Sequence, residues 1–379
     1  MSEPLTLVGR PRTSQARLSS PRVAIVHYWL VSMRGGERVI ERLLKLYPQA
    51  DLFTHVYDAE RMSATIAQRR VTTSFINRLP FAKRLYQYYL PLMPMALEEF
   101  DLSAYDLVIS SESGPAKGVI TRPGSMHLCY CHSPMRYLWD HYHQYKAQAN
   151  PLARLAMPAM YSRLRQWDVT SSARVDRIAA NSRFVGKRIA KVWRREAEVI
   201  HPPVDTSLFT PSLDLDDYYL WVGQLVPYKR PDIAVDAFTR NGLPLVVVGS
   251  GGMARQLQAR AGPNVRFVER MTFNQLRQAY ARCRALVMTA EEDFGITPVE
   301  AMASGRPVIA YGHGGVLDSV VEDLTGTFFA EHRAESLIDA VAEFERFLPH
   351  FDPLDAVREA RRFIPEVFDE KIAALAGTT

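Results

Sequence analysis

Short apolar runs alternate with amphipathic segments of helical length along almost the whole chain. The short runs are rich in Val, Ile and Tyr, which favour strands, whereas the longer segments repeat apolar residues at the helical period. In the first half, the predicted strands are residues 23–28, 51–56, 107–110, 128–132 and 177–181. In the second half, they are residues 219–223, 245–249, 265–268, 285–289 and 308–310. This alternation predicts an α/β protein with parallel sheets.

A proline pair divides the two series of strands. Pro202 and Pro203 precede a polar, acidic stretch that runs to Asp217, and paired prolines exclude a continuous helix or a central strand there. A chain of 379 residues that is 47% hydrophobic also fits two domains better than one. We therefore predict a first domain at residues 21–203 and a second domain that starts at residue 204. Residues 1–20 lack the apolar run of a secretory signal, and we expect a disordered extension there.

The charge balance is only mildly basic. A formal net charge of +5, from 46 basic and 41 acidic residues, does not imply a nucleic-acid partner, whereas an anionic membrane surface or a phosphate-bearing substrate fits it. Three cysteines are too few for a disulfide framework, so we predict a cytoplasmic location. Because no segment reaches the roughly 18 to 20 apolar residues that span a bilayer, we expect any membrane contact to be peripheral.

The segment of residues 75–100 mixes basic and aromatic side chains and is broken by Pro91 and Pro94. Such a mixture suits a bilayer interface or a lipid-linked substrate. The residues concerned are Lys83, Arg84, Tyr86, Tyr88 and Tyr89. An ordinary pair of core helices with a solvated basic edge explains the same pattern, and both interpretations stay open at this point.

Glycine-rich turns follow several of the predicted strands. Gly35 and Gly36 open an amphipathic helix after the first strand, where unpaired backbone N–H groups could bind an anion. The run is not the GxGxxG fingerprint, and a Gly-Gly pair alone is weak as a signal, since turns also require glycine. Two further turns, at Gly249 and at residues 312–315, repeat the design and predict close approach of backbone to a ligand.

The second domain opens with a strand that leads into Gly223, Gln224, Lys229 and Arg230. Ligands of open α/β sheets bind at the carboxyl edge of the strands, and adjacent cations there can neutralise a diphosphate. Two solvated cations at a helix start would be the simpler explanation. Positive charge at that end of a helix opposes the helix dipole, however, and this favours a functional role.

The most specific run places two carboxylates around a turn. Glu292 ends a strand and Glu300 lies in the following helix, which Gly295 permits to start with a tight turn. Carboxylates accept hydrogen bonds from sugar or ribose hydroxyls, and the helix start donates to a phosphate. The run therefore predicts a site for a nucleotide sugar, with further contacts from Phe294, Ile296 and Thr297. The apolar neighbours of Glu300 argue that it is buried and not a surface helix residue.

Four residues at the fourth predicted strand look like metal ligands at first sight. Strand periodicity puts His127, Cys129 and Cys131 on one face and His132 on the other, and no second Cys/His cluster completes a site. We therefore predict no metal. His132 is better interpreted as a cleft histidine that contacts substrate, although a histidine that only packs remains an alternative.

These motifs together resemble the retaining family 4 glycosyltransferases of the GT-B fold, over essentially the whole chain after residue 20. The motifs that carry the resemblance are Arg34-Gly35-Gly36-Glu37, His132-Ser133-Pro134, Ala180-Asn181-Ser182, Gly223 through Lys229, and the E-x7-E pair Glu292 and Glu300. Residues 26–30, 130–140 and 227–230 look most like the mannosyltransferase branch that builds O-antigens and exopolysaccharides.

The resemblance implies two Rossmann-like domains whose parallel sheets face each other across a cleft. The acceptor would bind the first domain and GDP-mannose the second, at residues 204–358, while a C-terminal helix at residues 359–379 would cross back to the first domain. The implied acceptor is a polyprenyl-diphosphate-linked glycan at the cytoplasmic face of the inner membrane. A UDP- or dTDP-sugar donor, a non-catalytic nucleotide-sugar-binding scaffold and a sugar-nucleotide epimerase are the alternatives.

The resemblance also implies roles for individual residues. Glu292 would contact the donor-sugar hydroxyls, Glu300 the ribose and Lys229 the diphosphate, while Gly35 and Gly36 would hold the leaving phosphate. His132 would line the sugar pocket, and His132, Glu292 and Lys229 are the predicted catalytic residues. One departure is Gln224, where the family usually has an arginine; glutamine cannot neutralise a diphosphate. No aspartate-rich metal motif stands beside these residues, so we expect transfer without a metal.

Overall fold

The computed structural model describes residues 21–212 and 214–378. The extension predicted for residues 1–20 lies outside the described residues. Within them, every pair of neighbouring strands is parallel, and two sheets form as the alternation of strands and helices predicts.

The first half of the chain forms a seven-stranded sheet in the order β3-β2-β1-β4-β5-β6-β7. Its strands are β1 (Val23–His27), β2 (Asp51–Thr54), β3 (Val71–Thr73), β4 (Leu107–Glu112), β5 (Met126–Cys131), β6 (Arg177–Ala180) and β7 (Glu198–Val199). Its helices are α1 (Gly35–Leu46), α2 (Ala64–Ala67), α3 (Ala82–Leu85), α4 (Met93–Glu98), α5 (Tyr142–Gln148), α6 (Pro151–Ser172) and α7 (Arg183–Val192).

The second half forms a six-stranded sheet in the order β10-β9-β8-β11-β12-β13. Its strands are β8 (Tyr219–Val222), β9 (Leu245–Val248), β10 (Val265–Val268), β11 (Leu286–Met288), β12 (Val308–Tyr311) and β13 (Gly326–Phe329). The helices are α8 (Pro231–Asn241), α9 (Ala254–Arg260), α10 (Phe273–Arg282), α11 (Ile296–Ala303), α12 (Ala334–Phe347), α13 (Pro353–Ala360) and α14 (Pro365–Ala376).

Burial on both faces explains why the central strands read as continuous apolar runs. All five residues of β1 are buried, because helices cover both sides of a parallel sheet. Helix α1 presents one apolar face to this core through Val39, Ile40, Leu43 and Leu44. Since all strands of a parallel sheet end at the same edge, the turns that follow them gather at one edge of each sheet. The candidate site lies between those two edges.

The C-terminal helix returns to the first domain, as expected from the resemblance. Phe368 and Ile372 of α14 belong to the apolar core around α1 and the first sheet. Arg42 of α1 donates hydrogen bonds of 2.7 and 2.6 Å to the Asp369 carboxylate. The predicted architecture of two Rossmann-like domains with a crossing C-terminal helix is therefore confirmed.

The predicted domain limits can be placed on this architecture. The limit at residue 203 lies in the connection between β7 and β8. The limit at residue 358 lies inside α13, whose Ala356 and Ala360 both pack in the core of the second domain together with Phe363. The chain thus crosses to the first domain after Phe363, a few residues later than predicted.

Candidate functional site

A cavity of about 330 Å³ opens between the two domains, at the carboxyl edges of both sheets. Nine of the residues predicted from the sequence line it: Gly35, Gly36, His132, Lys229, Glu292, Phe294, Gly295, Ile296 and Thr297. The sequence therefore placed much of the cavity lining, although the roles of these residues stay predictions. Open α/β sheets bind ligands at this position.

The first-domain wall is built around the start of α1. A β-carbon on Gly36 would lie 2.7 Å from the Tyr28 hydroxyl and 3.6 Å from Nε2 of His132, so a larger residue there would have to displace the Tyr28 side chain. A β-carbon on Gly35 would lie 3.4 Å from Cδ1 of Ile296, across the cleft. The helix start thus comes close to the second domain without a side chain in the way.

A series of polar side chains connects His132 to Glu37. Nε2 of His132 lies 2.8 Å from Oγ of Ser111, and the same hydroxyl lies 3.0 Å from Nδ1 of the buried His27. Nε2 of His27 lies 3.7 Å from the Glu37 carboxylate. Burial, with a smaller effect of His27, lowers the pKa of His132 to about 3. His132 is therefore neutral at physiological pH and can serve as a hydrogen-bonding wall, but not as an imidazolium.

The second-domain wall holds an ion pair that faces the cavity. Nζ of Lys229 lies 2.8 Å from Oε1 of Glu292. Burial favours the neutral amine, but the Glu292 carboxylate outweighs burial, and the pKa of Lys229 is raised. The Lys229 carbonyl accepts a hydrogen bond of 2.9 Å from Thr289, which ties the lysine turn to the end of β11.

The start of α11 lies opposite the start of α1. Residues 291–293, Glu-Glu-Asp, form the acidic loop. Gly295 has φ of 86°, which only glycine adopts readily, and it turns the chain from this acidic loop into the helix. Ile296 and Thr297 follow directly and line the cavity. Two helix N-termini and one ammonium group therefore meet in one cleft, an arrangement suited to a phosphate group.

Two of the predicted cationic or polar contacts lie away from the cavity lining. Arg230 has φ of 50°, and its guanidinium forms three hydrogen bonds, of 2.9 to 3.2 Å, with the Asp232 carboxylate. Gln224 is exposed and does not line the cavity. Gly223 lies behind Lys229, since a β-carbon there would meet Cδ of that lysine at 3.2 Å. Donor contacts by Gln224, Arg230 and Gly223 stay predictions.

Two of the glycine turns serve backbone packing. A β-carbon on Gly249 would lie 1.8 Å from the Gly223 carbonyl oxygen, so the two turns of the second domain touch through their backbones. A β-carbon on Gly315 would lie 2.2 Å from the carbonyl oxygen of Asp293. The amide of Gly315 also donates a 2.8 Å hydrogen bond to the Glu292 carbonyl. Gly249 thus lets two backbone turns touch, and Gly315 brings backbone close to residues 292 and 293.

Glu300 is buried, as its apolar neighbours predicted. Its carboxylate accepts a 2.9 Å hydrogen bond from the Tyr280 hydroxyl, below the cavity floor. Burial raises the pKa of Glu300, and the hydrogen bond from Tyr280 opposes the rise. A ribose contact by Glu300 stays a prediction, because the carboxylate is not part of the cavity lining.

Sequence reasoning missed a set of contacts that bridge the cleft. Arg136 and Arg188 of the first domain both bind Oδ1 of Asp293, at 2.5 and 2.9 Å. Arg183 binds Asp318 through its backbone N–H and its guanidinium, both at 2.7 Å. Each pair joins residues more than a hundred positions apart, so no local spacing could reveal it.

The segment of residues 75–100 divides between core and surface. Tyr86 and Tyr89 pack against a small buried cluster of the first domain, so they do not face solvent freely as the interfacial interpretation predicts. Lys83, Arg84 and Tyr88 are exposed, and Lys83 lies 3.1 Å from the Asp58 carboxylate. Both interpretations from the sequence thus describe part of this segment.

The Cys/His group on β5 is part of the core. Nε2 of His127 lies 2.9 Å from Oγ of Ser110, and Cys129 and Cys131 pack among buried apolar residues. In the two described stretches of the chain, no group of three or more His, Cys, Asp or Glu is arranged to hold a metal ion. Transfer without a metal stays a prediction. None of the helices in those stretches is long and apolar enough to cross a bilayer.

Two family models match successive parts of the chain. The model described as Glycosyltransferase Family 4 matches residues 33–208, and the model described as Glycosyl transferases group 1 matches residues 211–347. The D-inositol 3-phosphate glycosyltransferase of Mycobacteroides abscessus is 28% identical over 194 residues, which are 44% of each chain. The O-antigen chain mannosyltransferase RfbU of Salmonella typhimurium is 28% identical over 206 residues, 48% of this chain and 57% of the relative. The matches thus span about half the length of these curated relatives.

Solved structures resemble the fold over nearly the whole chain. Anabaena Alr3699/HepE in complex with UDP has a TM-score of 0.69 at 15% identity, covering 94% of this chain and 100% of that one. Sucrose-phosphate synthase from Thermosynechococcus elongatus also has a TM-score of 0.69, at 18% identity, covering 94% and 98%. With one glycosyltransferase model on each domain and this architecture, the chain belongs to the glycosyltransferases of the GT-B type.

Proposed function

We propose that this chain transfers a sugar, with retention of configuration, from a nucleotide sugar to a lipid-linked glycan. The donor we propose is GDP-mannose, and the acceptor a polyprenyl-diphosphate-linked glycan of O-antigen or exopolysaccharide synthesis. The protein would work as a peripheral enzyme at the cytoplasmic face of the inner membrane. The similarity of about half the chain to an O-antigen mannosyltransferase supports this choice.

One observation carries the proposal: the pair of Lys229 and Glu292 lies between two facing helix starts, inside the interdomain cavity. The ammonium group and the backbone N–H groups suit a diphosphate, whereas the carboxylate suits sugar hydroxyls. A ligand with both parts is a nucleotide diphosphate sugar. When it binds, Lys229 would shift from Glu292 toward the phosphate and leave the carboxylate free for the sugar.

In the reaction, stabilising the departing diphosphate would be the main task of the protein. The acceptor hydroxyl attacks the anomeric carbon on the face that the diphosphate leaves, and a phosphate oxygen takes its proton. Lys229 and the amides at the starts of α1 and α11 would hold the negative charge. His132, whose pKa is lowered to about 3, is too weak a base to compete for that proton and would contact the sugar.

A UDP-sugar is the second candidate donor. Structures similar in fold hold UDP and UDP-glucose, although at 15% and 16% identity this likeness shows the fold alone. A panel of GDP-mannose, UDP-glucose, UDP-galactose and a dTDP-sugar separates the two, with binding measured by calorimetry and hydrolysis or transfer measured by product release. A preference for a uridine or thymidine donor would overturn GDP-mannose and keep the proposed reaction class.

Glu292→Ala tests the site itself. We expect release of nucleoside diphosphate to fall about 10- to 100-fold, because a hydrogen bond to a charged group is worth about 1.5–3 kcal/mol. Glu291→Ala removes the adjacent acid, which does not line the cavity, and is the matched control. Equal activity of the two variants would refute the assignment of the site.

We also propose that transfer needs no metal ion. Activity should then persist in EDTA and stay unchanged when magnesium or manganese is added. Activity that requires the ion would overturn the proposal of metal-independent transfer.

A further inference from the structure

Asp293 joins the acidic loop of the second domain to two arginines of the first domain. Its Oδ1 atom lies 2.5 Å from Nη2 of Arg136 and 2.9 Å from Nη1 of Arg188. The carbonyl oxygen of the same residue accepts a hydrogen bond from the Ser182 hydroxyl. Both the side chain and the backbone of Asp293 are thus bound by the opposite wall of the cleft.

The arginines are themselves held in place by the first domain. Nη1 of Arg188 donates a 2.5 Å hydrogen bond to Ser133, the residue after His132, and Nη2 lies 2.5 Å from the Asp140 carboxylate. The Arg188 side chain is only 10% exposed and that of Arg136 is 20% exposed. Such guanidinium groups keep a fixed geometry, and losing their carboxylate would leave charge with little solvent to replace it.

Asp293 lies between two residues of the predicted donor site. Glu292 precedes it and pairs with Lys229, and Phe294 follows it and stacks on His201 at 5.3 Å between ring centroids. A shift of Asp293 must therefore move the Glu292 carboxylate. First-domain residues thus hold the acidic loop in position, although the loop itself belongs to the second domain.

We infer that Asp293 is a positioning residue that couples closure of the two domains to assembly of the donor site. In the closed cleft, Arg136 and Arg188 hold Asp293 and set the Glu292 carboxylate for the sugar. In an open cleft, Asp293 loses its contacts with Arg136, Arg188 and Ser182, and the Glu292 carboxylate loses its fixed orientation. The inference rests on the proposed function for its kinetic test, but its structural test needs no substrate.

Asp293→Asn keeps the size of the side chain and removes its charge. We expect the radius of gyration from small-angle X-ray scattering to rise above that of the wild-type protein, because the cleft opens. With the donor found by the panel, kcat should fall roughly 30-fold, the lower end of the effect of breaking a buried charged pair. The dissociation constant for the nucleoside diphosphate should change less than about threefold, because most donor contacts lie in the second domain.

The matched control is Asp216→Asn. Asp216 accepts hydrogen bonds of 2.7 and 2.8 Å from Arg282, but both residues belong to the second domain. Asp216→Asn makes the same chemical change in a carboxylate–arginine pair that lies within one domain and whose side chains are both 42% exposed. Arg136→Gln should reproduce part of the effects of Asp293→Asn, because Arg188 still binds Asp293. The double variant should be no worse than Asp293→Asn alone, since the Arg136 contact is one of those that Asp293→Asn already weakens.

The outcomes separate this inference from the proposed function. If Asp293→Asn matches Asp216→Asn in scattering and in kcat while the wild-type enzyme is active, the coupling is wrong and the glycosyltransferase site stands. If no nucleotide sugar reacts with the wild-type protein, the proposed function fails, and scattering alone decides whether Asp293 closes the cleft. A thermal midpoint within about 2 °C of the wild type would exclude misfolding as the cause.

Discussion

Charge in the cavity is decided by very few residues. Lys229 is the cation in the lining, and the Glu292 carboxylate already neutralises it, while Arg230 is bound to Asp232. A diphosphate carries at least two negative charges, so the helix starts must supply much of the remaining attraction. The sequence placed both cations at the sheet edge, but it could not show that Asp232, two residues away, binds one of them.

Adding a cation at position 224 tests whether the cavity has too little positive charge for a diphosphate. We expect Gln224→Arg to leave the affinity for the nucleoside diphosphate equal or to increase it several-fold, because Gln224 follows the turn beside Lys229. Calorimetry with the preferred diphosphate measures the change. Gln258→Arg, on the exposed side of α9, adds the same charge outside the cavity lining and should have no effect. A clear loss of affinity in Gln224→Arg would show that the glutamine side chain has another function.

Three histidines with strongly lowered pKa values, His55, His127 and His132, make the stability of the first domain depend on pH. Burial lowers the pKa of His55 to about 3 and that of His127 to about 4, below the value of 6.5 expected in the unfolded chain. As pH falls below about 6.5, the unfolded chain therefore takes up protons that the folded protein does not. Each histidine should lower the free energy of unfolding by about 2 kcal/mol between pH 6.5 and pH 5, with no such loss above pH 6.5.

Urea unfolding at pH 5 and pH 7 measures this loss. His127→Gln should remove about a third of the difference between the two pH values, because His55 and His132 still contribute. The variant is less stable at both pH values, because it loses the contact with Ser110. The exposed His350→Gln is the control and should keep the wild-type difference. A full pH difference in His127→Gln would mean that this histidine is protonated in the folded state.

At the scale of elements, the sequence predicted ten of the thirteen strands in the described residues, and the three that it missed all lie at sheet edges. All ten predicted strands are present, whereas β3, β7 and β13 were not predicted. The two edge strands of the first sheet, β3 and β7, are short and at most half-buried, so they lack the apolar run that identifies a central strand. The cross-cleft pair of Arg188 and Asp293 was equally hidden, because it depends on how the two domains meet.

Helix α14 is the element that ties the end of the chain to the first domain. Phe368 is buried among first-domain residues and contacts the ring of Tyr130 at 5.5 Å between centroids. We expect Phe368→Ala to lower the free energy of unfolding by about 3–5 kcal/mol, the usual effect of removing a buried aromatic ring. The denaturation transition of the first domain, followed by near-UV circular dichroism, should shift accordingly.

Leu354→Ala provides the comparison for α14. Leu354 lies on α13 and is 64% exposed, so its truncation should change stability by no more than about 0.5 kcal/mol. If Phe368→Ala changes the free energy of unfolding as little as Leu354→Ala does, the packing of α14 does not stabilise the first domain.

At the scale of the whole molecule, exposed apolar side chains are found on the first domain, beside the cleft-forming elements. Phe81 and Tyr88 are 76% and 75% exposed, and Leu152 and Leu155 at the start of α6 are 79% and 80% exposed. The segment of residues 86–93 and helix α6 pack against one shared buried cluster, so Tyr88, Leu152 and Leu155 belong to neighbouring elements. Phe81 directly precedes α3 in the same segment of residues 75–100. Exposed aromatic and aliphatic residues near Lys83 and Arg84 suit the headgroup region of a bilayer.

The proposed function includes contact with a membrane, and the role of this surface in that contact can be tested without a substrate. We expect the double variant Phe81→Ser and Tyr88→Ser to bind vesicles of zwitterionic and anionic lipids at least about tenfold more weakly than the wild-type protein, since each side chain loses apolar area that the bilayer would cover. Co-sedimentation with vesicles measures the binding. Leu354→Ser removes a similarly exposed apolar residue from the second domain and should bind as the wild type does. If the double variant binds equally well, the first domain does not meet the membrane through Phe81 and Tyr88, and the acceptor must reach the cleft from another side.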